Sequence, residues 1–274
     1  MSTADKLNKL LETKEAIKQA IIDKGGTVGD VFADYPTAIQ NIQGGGGSGT
    51  FVVPAGLKFA YSDVTEFPED WDWSEWGTYN NLQSACRSTT KLDKFPKITI
   101  TNNVTNVYQM FYLAGHMSLP FCELDMSNWD LSNVTNMEDM FSSANINITN
   151  WGAFDTRSNQ NFRTMFENCD HLTTIPALDC SGNTSTYTRS THSPIYGCTG
   201  LVNFGGFIGI KTTMYCDNSP NLSYESVLNI LNGLASGVSG QTVYLHQNNV
   251  NLLSDDDIAI ATNKGWTISP ARTV

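Results

Sequence analysis

Charge and histidine are scarce in this sequence of 274 residues. Charged side chains make up 16% of it, with 16 Lys and Arg against 27 Asp and Glu, so the formal net charge is −11. A surface of this sign repels phosphate backbones, which excludes a general nucleic-acid binder. No apolar run approaches the ~18 residues that a membrane-spanning helix needs, so membrane insertion is not expected.

Paired cysteines are missing as well. The six cysteines lie at least 11 positions apart, and no CxxC motif occurs. This spacing argues against a zinc site and a redox motif, and it predicts cysteines that serve as small core residues, although counting leaves disulfides open. The N-terminus lacks the apolar segment of a signal peptide. No serine, cysteine or histidine arrangement indicates nucleophilic catalysis, and no cofactor is expected.

Neutral polar residues are abundant, with 26 Asn and 29 Thr. Residues 1–43 differ from the rest, because apolar side chains recur there at helical spacing between lysines. We interpret 1–43 as a helical anchoring or oligomerisation module and the Gly-rich residues 44–49 as a flexible linker. The apolar positions that would form its contacts are Leu7, Leu10, Leu11, Ile17 and Ile21.

The remainder of the chain contains a repeated motif. Residues 106–111, 136–141 and 161–166 share the pattern N-Φ-x-x-M-F, where Φ is apolar; residues 81–86 are a weaker copy and a degraded copy ends at Tyr196. The last residues of these copies are spaced by 25, 30, 25 and 30 positions. A second series of apolar residues in short alternating stretches has gaps of 26, 30, 24 and 30: Ile98, Leu124, Phe154, Leu178 and Ile208.

Two series with one period indicate stacked repeats, each too small to fold alone. The first series predicts a short helical segment per repeat, and the second predicts a short parallel strand. The predicted fold class is therefore an α/β solenoid, leucine-rich-repeat-like, with a small N-terminal α-helical module. We assign 50–78 to an N-terminal cap, 79–222 to the repeats and 223–274 to a C-terminal α/β cap with helices beginning after Ser223 and Ser254.

The repeat resembles a known family. Residues 129–141, WDLSNVTNMEDMF, closely resemble the repeat of BspA-like leucine-rich-repeat surface proteins, and residues 103–111 match its second half. The ending 253–266 is similar to the terminal cap of such repeats in phage and bacterial surface proteins. Residues 10–39 look like a short module found at the start of phage tail and fibre proteins.

The resemblance implies adhesion or scaffolding, and it brings no catalytic residues. With no signal peptide, we expect a phage virion structural protein (a fibre, spike or decoration protein) that is assembled in the host cytoplasm and attaches to a host surface. The N-terminal module would join other virion proteins and form a homo-oligomer, while the body would contact a host-surface glycan or protein. The alternatives are a BspA-like adhesin at the bacterial cell surface and a glycan-active enzyme.

Tryptophans and carboxylates are concentrated in residues 66–76. Trp71, Trp73 and Trp76 alternate with Asp70 and Asp72 in this segment. Aromatic rings stack on apolar sugar faces and carboxylates accept hydroxyl hydrogens, so the segment is a candidate glycan site. The alternative is that the rings cover the first repeat as a cap.

Three aspartates occupy equivalent outward positions of successive strand stretches: Asp125, Asp155 and Asp179. Stacked parallel strands would place their carboxylates roughly 5 Å apart, where like charges repel unless a cation such as Ca²⁺ binds. A solvated acidic stripe, with each side chain bonded to its local turn, is the alternative.

Overall fold

The structure is a computed structural model, and it describes residues 3–23, 28–29, 50–115, 121–188 and 193–273. Helices are few in these ranges. They are α1 (Thr3–Asp23), a 3₁₀ turn (Trp76–Thr78), α2 (Tyr224–Gly233), α3 (Gln247–Val250) and α4 (Asp255–Thr262). No helix among the described residues is long and apolar enough to cross a membrane.

The strands are short and all of their pairings are parallel. They are β1 (Cys122–Asp125), β2 (Ile146–Asn150), β3 (Thr174–Ile175), β4 (Leu178–Asp179), β5 (Asn203–Phe204), β6 (Phe207–Ile208), β7 (Met214–Cys216), β8 (Gln241–Leu245) and β9 (Trp266–Ser269). They form separate pairs β1–β2, β3–β5 and β4–β6, and one sheet in the order β7-β8-β9.

The predicted α/β solenoid is wrong. Its strands would form a continuous parallel sheet with a helical segment in every repeat, whereas the structure holds separate two- and three-stranded sheets. The segments predicted to be helical contain no helix: residues 81–89, 106–114, 136–144 and 161–169 are successive turns. We call these four segments the turn repeats.

Asparagine begins each turn repeat for a local reason. Its side-chain Oδ1 accepts a hydrogen bond from the backbone N–H two residues later, at 2.9–3.2 Å in all four copies. Asn and Asp side chains stabilise turns in this way. Asn81, Asn106, Asn136 and Asn161 thus each close the first turn of their repeat.

Residues with a left-handed backbone conformation occur where a helix was predicted. In each turn repeat the residue at the fourth position and the one at the eighth have φ near +55°, as in Gln109 (54°) and Leu113 (55°). A residue with positive φ at the third position of a tight turn interrupts any helix. All nine described non-glycine residues with positive φ belong to two aligned columns: Tyr61, Ser88, Leu113, Ser143 and Asn168; Ser84, Gln109, Asp139 and Thr164.

Alternate backbone N–H groups of one turn repeat donate to the next. The N–H groups of Gln109, Phe111 and Leu113 donate to the carbonyls of residues 138, 140 and 142 at 2.8–3.1 Å. The turn conformation directs these donors along the stack, so that buried backbone groups are satisfied between repeats rather than within a helix.

Aromatic rings form the centre of the repeat core. The ring centroids of Phe111 and Phe141 are 5.8 Å apart and those of Phe141 and Phe166 are 5.3 Å apart, with interplanar angles of 7° and 9°. All three residues are at most 1% exposed. The last residue of each N-Φ-x-x-M-F copy is therefore a core residue.

Two later positions of the repeat series, Tyr196 and Ile208, are shifted by one residue from the repeat positions that the structure shows. The N–H of Phe166 donates to Pro194 O at 2.8 Å, which aligns Phe166 with the fully buried Ile195 rather than with Tyr196. Ile208 is 50% exposed, whereas its neighbour Phe207 is buried. Because strand side chains alternate, a one-residue shift reverses which face is buried.

The predicted elements of the C-terminal region are confirmed. Ser223 caps α2 by accepting from Ser226 N–H, and Ser254 and Asp257 form a reciprocal capping box on α4. The strands of this region, β8 and β9, follow α2 and α4. Lys264 Nζ donates to the carbonyls of Leu231 and Asn232 at 3.0 and 2.6 Å, which satisfies the end of α2.

The N-terminal module is described in part. Helix α1 contains all five apolar positions predicted to make contacts; Ile21 is buried and Ile17 is half-buried. The side chains of the other three, and residues 30–49 with the predicted linker, lie outside what the structure describes. The central hydrophobic core begins at Val53 and contains no described residue of α1.

Cysteines serve the core, as their positions predicted. All six are buried and free. Burial raises the pKa of the Cys122 and Cys198 thiols to about 12. Cys198 Sγ donates to the carbonyl oxygen of Phe166 at 3.0 Å, so this thiol is packed in the core in its protonated form.

Candidate functional site

The tryptophan segment is largely a packed aromatic cluster. Trp76 is fully buried and its indole N–H donates to Leu57 O at 2.7 Å, while Trp73 is 8% exposed. Trp71 is half-buried, 4.7 Å from the ring of Phe51. Trp73 and Trp76 are thus covered by their neighbours, and Trp71 is the one ring of the three that keeps partial exposure. A glycan contact in this segment stays a prediction.

The two aspartates beside these rings differ in role. Asp72 lies in a parallel bridge with Val52, and its Oδ1 accepts from Ser74 N–H at 2.8 Å. The hydrogen bonds from Ser74 lower the pKa of the Asp72 carboxyl. Asp70 is exposed. Asp72 thus closes a local turn, and only Asp70 offers its carboxylate to solvent beside Trp71.

The three aspartates predicted to share a cation are engaged locally. Asp125 accepts from Ser127 N–H at 2.8 Å and pairs with Lys97 at 3.0 Å. Asp155 pairs with its neighbour Arg157, and Asp179 accepts from Ser181. No group of three or more His, Cys, Asp or Glu side chains suited to a metal occurs among the described residues.

A different surface brings together the polar side chains of the turn repeats. We define the turn face by Tyr61, Arg87, Tyr108, Gln109, Tyr112, Glu138, Asp139, Asn161, Arg163 and Thr164. These side chains come from segments 22–30 positions apart in sequence, and the stacking of the turns places them side by side. Tyrosine and arginine are the residue types most enriched at the centres of protein-binding surfaces.

Arg87 lies between two tyrosine rings. Its guanidinium carbon is 5.7 Å from the ring centroid of Tyr61 and 5.0 Å from that of Tyr112. Its Nη1 donates to Gln109 Oε1 at 2.6 Å. A planar guanidinium held by two rings and one hydrogen bond has a fixed orientation before any ligand arrives.

A row of hydrogen bonds continues from Arg87 along the turn face. Gln109 Nε2 donates to Asp139 Oδ2 at 3.1 Å, and Asp139 Oδ1 accepts from the hydroxyl of Thr164. Since Gln109 has its amide oxygen on Arg87 and its nitrogen on Asp139, it links the cation to the carboxylate through a fixed amide. The row therefore holds four side chains of four turn repeats in one register.

A second row contains an ion pair. Glu138 accepts from Asn161 Nδ2 at 2.7 Å and lies 3.6 Å from Arg163 Nη1. The pKa of the neighbouring Tyr108 hydroxyl is raised by burial and by the charges of Asp139 and Glu138, so this tyrosine stays protonated. Both carboxylates of the turn face are thus engaged by the protein's own donors, which suits binding better than proton transfer.

Sequence reasoning missed the turn face. The signal was present at the two variable positions of N-Φ-x-x-M-F, where Tyr, Gln, Glu, Asp, Arg and Thr occur in successive copies. Interpreted as a helical segment, those positions point in directions unrelated to one another. Only the aligned turns show that they share a surface with Arg87.

Comparison with known proteins gives a match to a family model. Residues 57–187 match the model of a family described as "Mycoplasma protein of unknown function, DUF285", which belongs to the BspA-like surface proteins. The matched segment is just under half of the chain, and it includes all four turn repeats. No curated protein and no solved structure matches the chain significantly.

Proposed function

We propose that this chain is a non-catalytic attachment protein whose turn face contacts a target surface. The observation that carries the proposal is the prearranged turn face, where Arg87 is held between Tyr61 and Tyr112 and the acidic side chains are hydrogen-bonded. Fixed aromatic and guanidinium groups bind partners with little loss of side-chain entropy.

The setting we propose is a phage virion, in which the chain is a fibre, spike or decoration protein. The similarity of residues 10–39 to a module at the start of phage tail and fibre proteins supports this setting. In it, α1 would join the chain to other virion proteins and to further copies of itself.

A bacterial cell-surface adhesin is the second candidate. The match of residues 57–187 to a family of the BspA-like surface proteins favours it. Both candidates use the same face for the same purpose, and they differ in the particle that displays it.

Immunogold electron microscopy separates the two. Antibodies against residues 50–274 are applied to purified phage particles and to intact cells that encode the chain. Label on fibres or on the particle surface supports the virion protein, and label on intact cells supports the adhesin. Label on neither, together with no binding of the purified chain to bacterial cells, contradicts the attachment function.

A further inference from the structure

Arg87 differs from the other described arginines in its partners. Arg157, Arg163 and Arg272 each lie within 4 Å of a carboxylate, with nitrogen–oxygen distances of 2.5, 3.6 and 2.5 Å. Among the described residues, no carboxylate pairs with Arg87, although acidic side chains outnumber basic ones by 27 to 16 in the whole chain.

The donors of Arg87 are only partly used. Nη1 binds Gln109, and Nε is buried without a partner. Nη2 makes no hydrogen bond to a described residue and is not buried. Charge-assisted hydrogen bonds strengthen where water is excluded. A carboxylate therefore binds a half-buried arginine with unused donors more tightly than it binds a fully solvated arginine.

The surroundings of Arg87 restrict what can bind. Tyr61 is 68% exposed, so its ring offers an open apolar face beside the cation. Glu138 and Asp139 lie on the same face, and Asp63 lies nearby in sequence, paired with Lys91. These acids disfavour a polyanion that lies along the whole turn face, as a nucleic acid would, whereas a sugar that is bound only at Arg87 and Tyr61 presents one carboxylate to the cation.

We propose that Arg87 and Tyr61 form a binding site for a carboxylate-bearing sugar of a surface glycan. The carboxylate pairs with Nη2 of Arg87, and the apolar face of the sugar stacks on the ring of Tyr61. Gln109 and Tyr112 are positioning residues that fix the guanidinium. The assignment rests on the proposed attachment function, to which it adds the class of ligand.

Calorimetry on the full chain tests this site with two probes: oligogalacturonate, and the same oligosaccharide with its carboxyl groups reduced to alcohols. We expect oligogalacturonate to bind and the reduced probe to bind at least tenfold more weakly. Arg87→Met should lower the affinity at least tenfold, and Arg87→Lys should recover part of it, because lysine keeps the charge without the planar fork. The matched control is Arg157→Met, an exposed arginine outside the turn face, which should bind as the wild type does.

The folding of each variant is checked by thermal melting. Tyr61→Ala is a second variant, and it tests the stacking of the sugar on the tyrosine ring without removing a core residue. Equal affinity of the wild type and Arg87→Met, or equal binding of both probes, overturns the proposal. If oligogalacturonate does not bind but polyglutamate binds through Arg87, the ligand is an acidic protein and the sugar assignment is wrong. If the chain still attaches to cells whose acidic sugars have been removed, the proposed function stands without this site.

Discussion

The most unusual backbone conformations of single residues lie in the two aligned columns of positive φ. Glycine is the usual occupant of such positions. Of the nine described non-glycine residues there, only Asn168 and Asp139 are of the types that tolerate the left-handed region well, and only Thr164 is β-branched. The hydrogen bonds that the N–H groups of eight of them, all but Thr164, make to the next repeat offset this conformational cost.

Leu113 provides a test of that cost. It has φ of 55° and is 37% exposed. Leu113→Asn should raise the free energy of unfolding by about 0.5–1 kcal/mol, because Asn adopts the left-handed region more easily. Leu113→Val is the matched control and should lower it, since a β-branched side chain is poorly tolerated there. Urea denaturation measures both; an unstable Asn variant would show that the leucine contacts outweigh the strain.

The ionisation of Asp125 should make the stability of the fold depend on pH in the acidic range. Hydrogen bonds from Ser127 and the ion pair with Lys97 lower the pKa of this carboxyl to about 2, against about 3.9 in an unfolded chain. The carboxylate therefore stabilises the fold above pH ~4, and this contribution is lost as the pH falls through ~2. Melting temperatures between pH 2 and 5 should fall less steeply for Asp125→Asn than for the wild type. Parallel curves would show that Asp125 makes no net contribution.

Among the elements, the stacked phenylalanines carry the repeat core. Phe141 lies between Phe111 and Phe166, with both ring planes within 9° of its own. Phe141→Ala should lower the free energy of unfolding by ~3–5 kcal/mol, because it leaves a cavity flanked by two rings. Leu252→Ala, at a 48% exposed position, should change it by less than about 0.5 kcal/mol. A loss below about 1 kcal/mol for Phe141→Ala would mean that the rings do not stack in this register.

Helix α4 depends on its first turn. Ser254 and Asp257 exchange hydrogen bonds at the start of the helix, and the pKa of the Asp257 carboxyl is lowered by the hydrogen bonds from Ser254. Ser254→Ala should destabilise the protein by about 1 kcal/mol, while the exposed Ser236→Ala should be neutral. Chemical denaturation compares the two, and equal stabilities would show that the cap is unimportant.

At the scale of the whole molecule, the core extends from Val53 to Trp266 without a described residue of α1. Removal of residues 1–43 should therefore leave the melting temperature of the body within a few degrees of that of the full chain. The shortened chain should be monomeric by light scattering if α1 is the oligomerising element. Unfolding of the shortened chain would show that this segment belongs to the core.

Helix caps and turns could be predicted from the sequence, whereas the contacts between one repeat and the next could not. Ser223, Ser254 and the four repeat asparagines act on backbone within three residues, so their effect follows from residue type. The left-handed state of Gln109 depends on a carbonyl 29 positions away, and the residue's own preference argues against it. Arg87 is held by Tyr61 and Tyr112, which lie 26 and 25 positions away, so no local pattern shows them together.

The donors and acceptors of one turn repeat match those of any other. Gln109, Phe111 and Leu113 of the second turn repeat donate to the third in the same pattern in which Asp139, Phe141 and Ser143 of the third donate to the fourth. Unequal recombination within the gene that adds or deletes one copy would therefore leave every junction complementary. Copy number can then change the length of the turn face while the conformation of each unit stays the same.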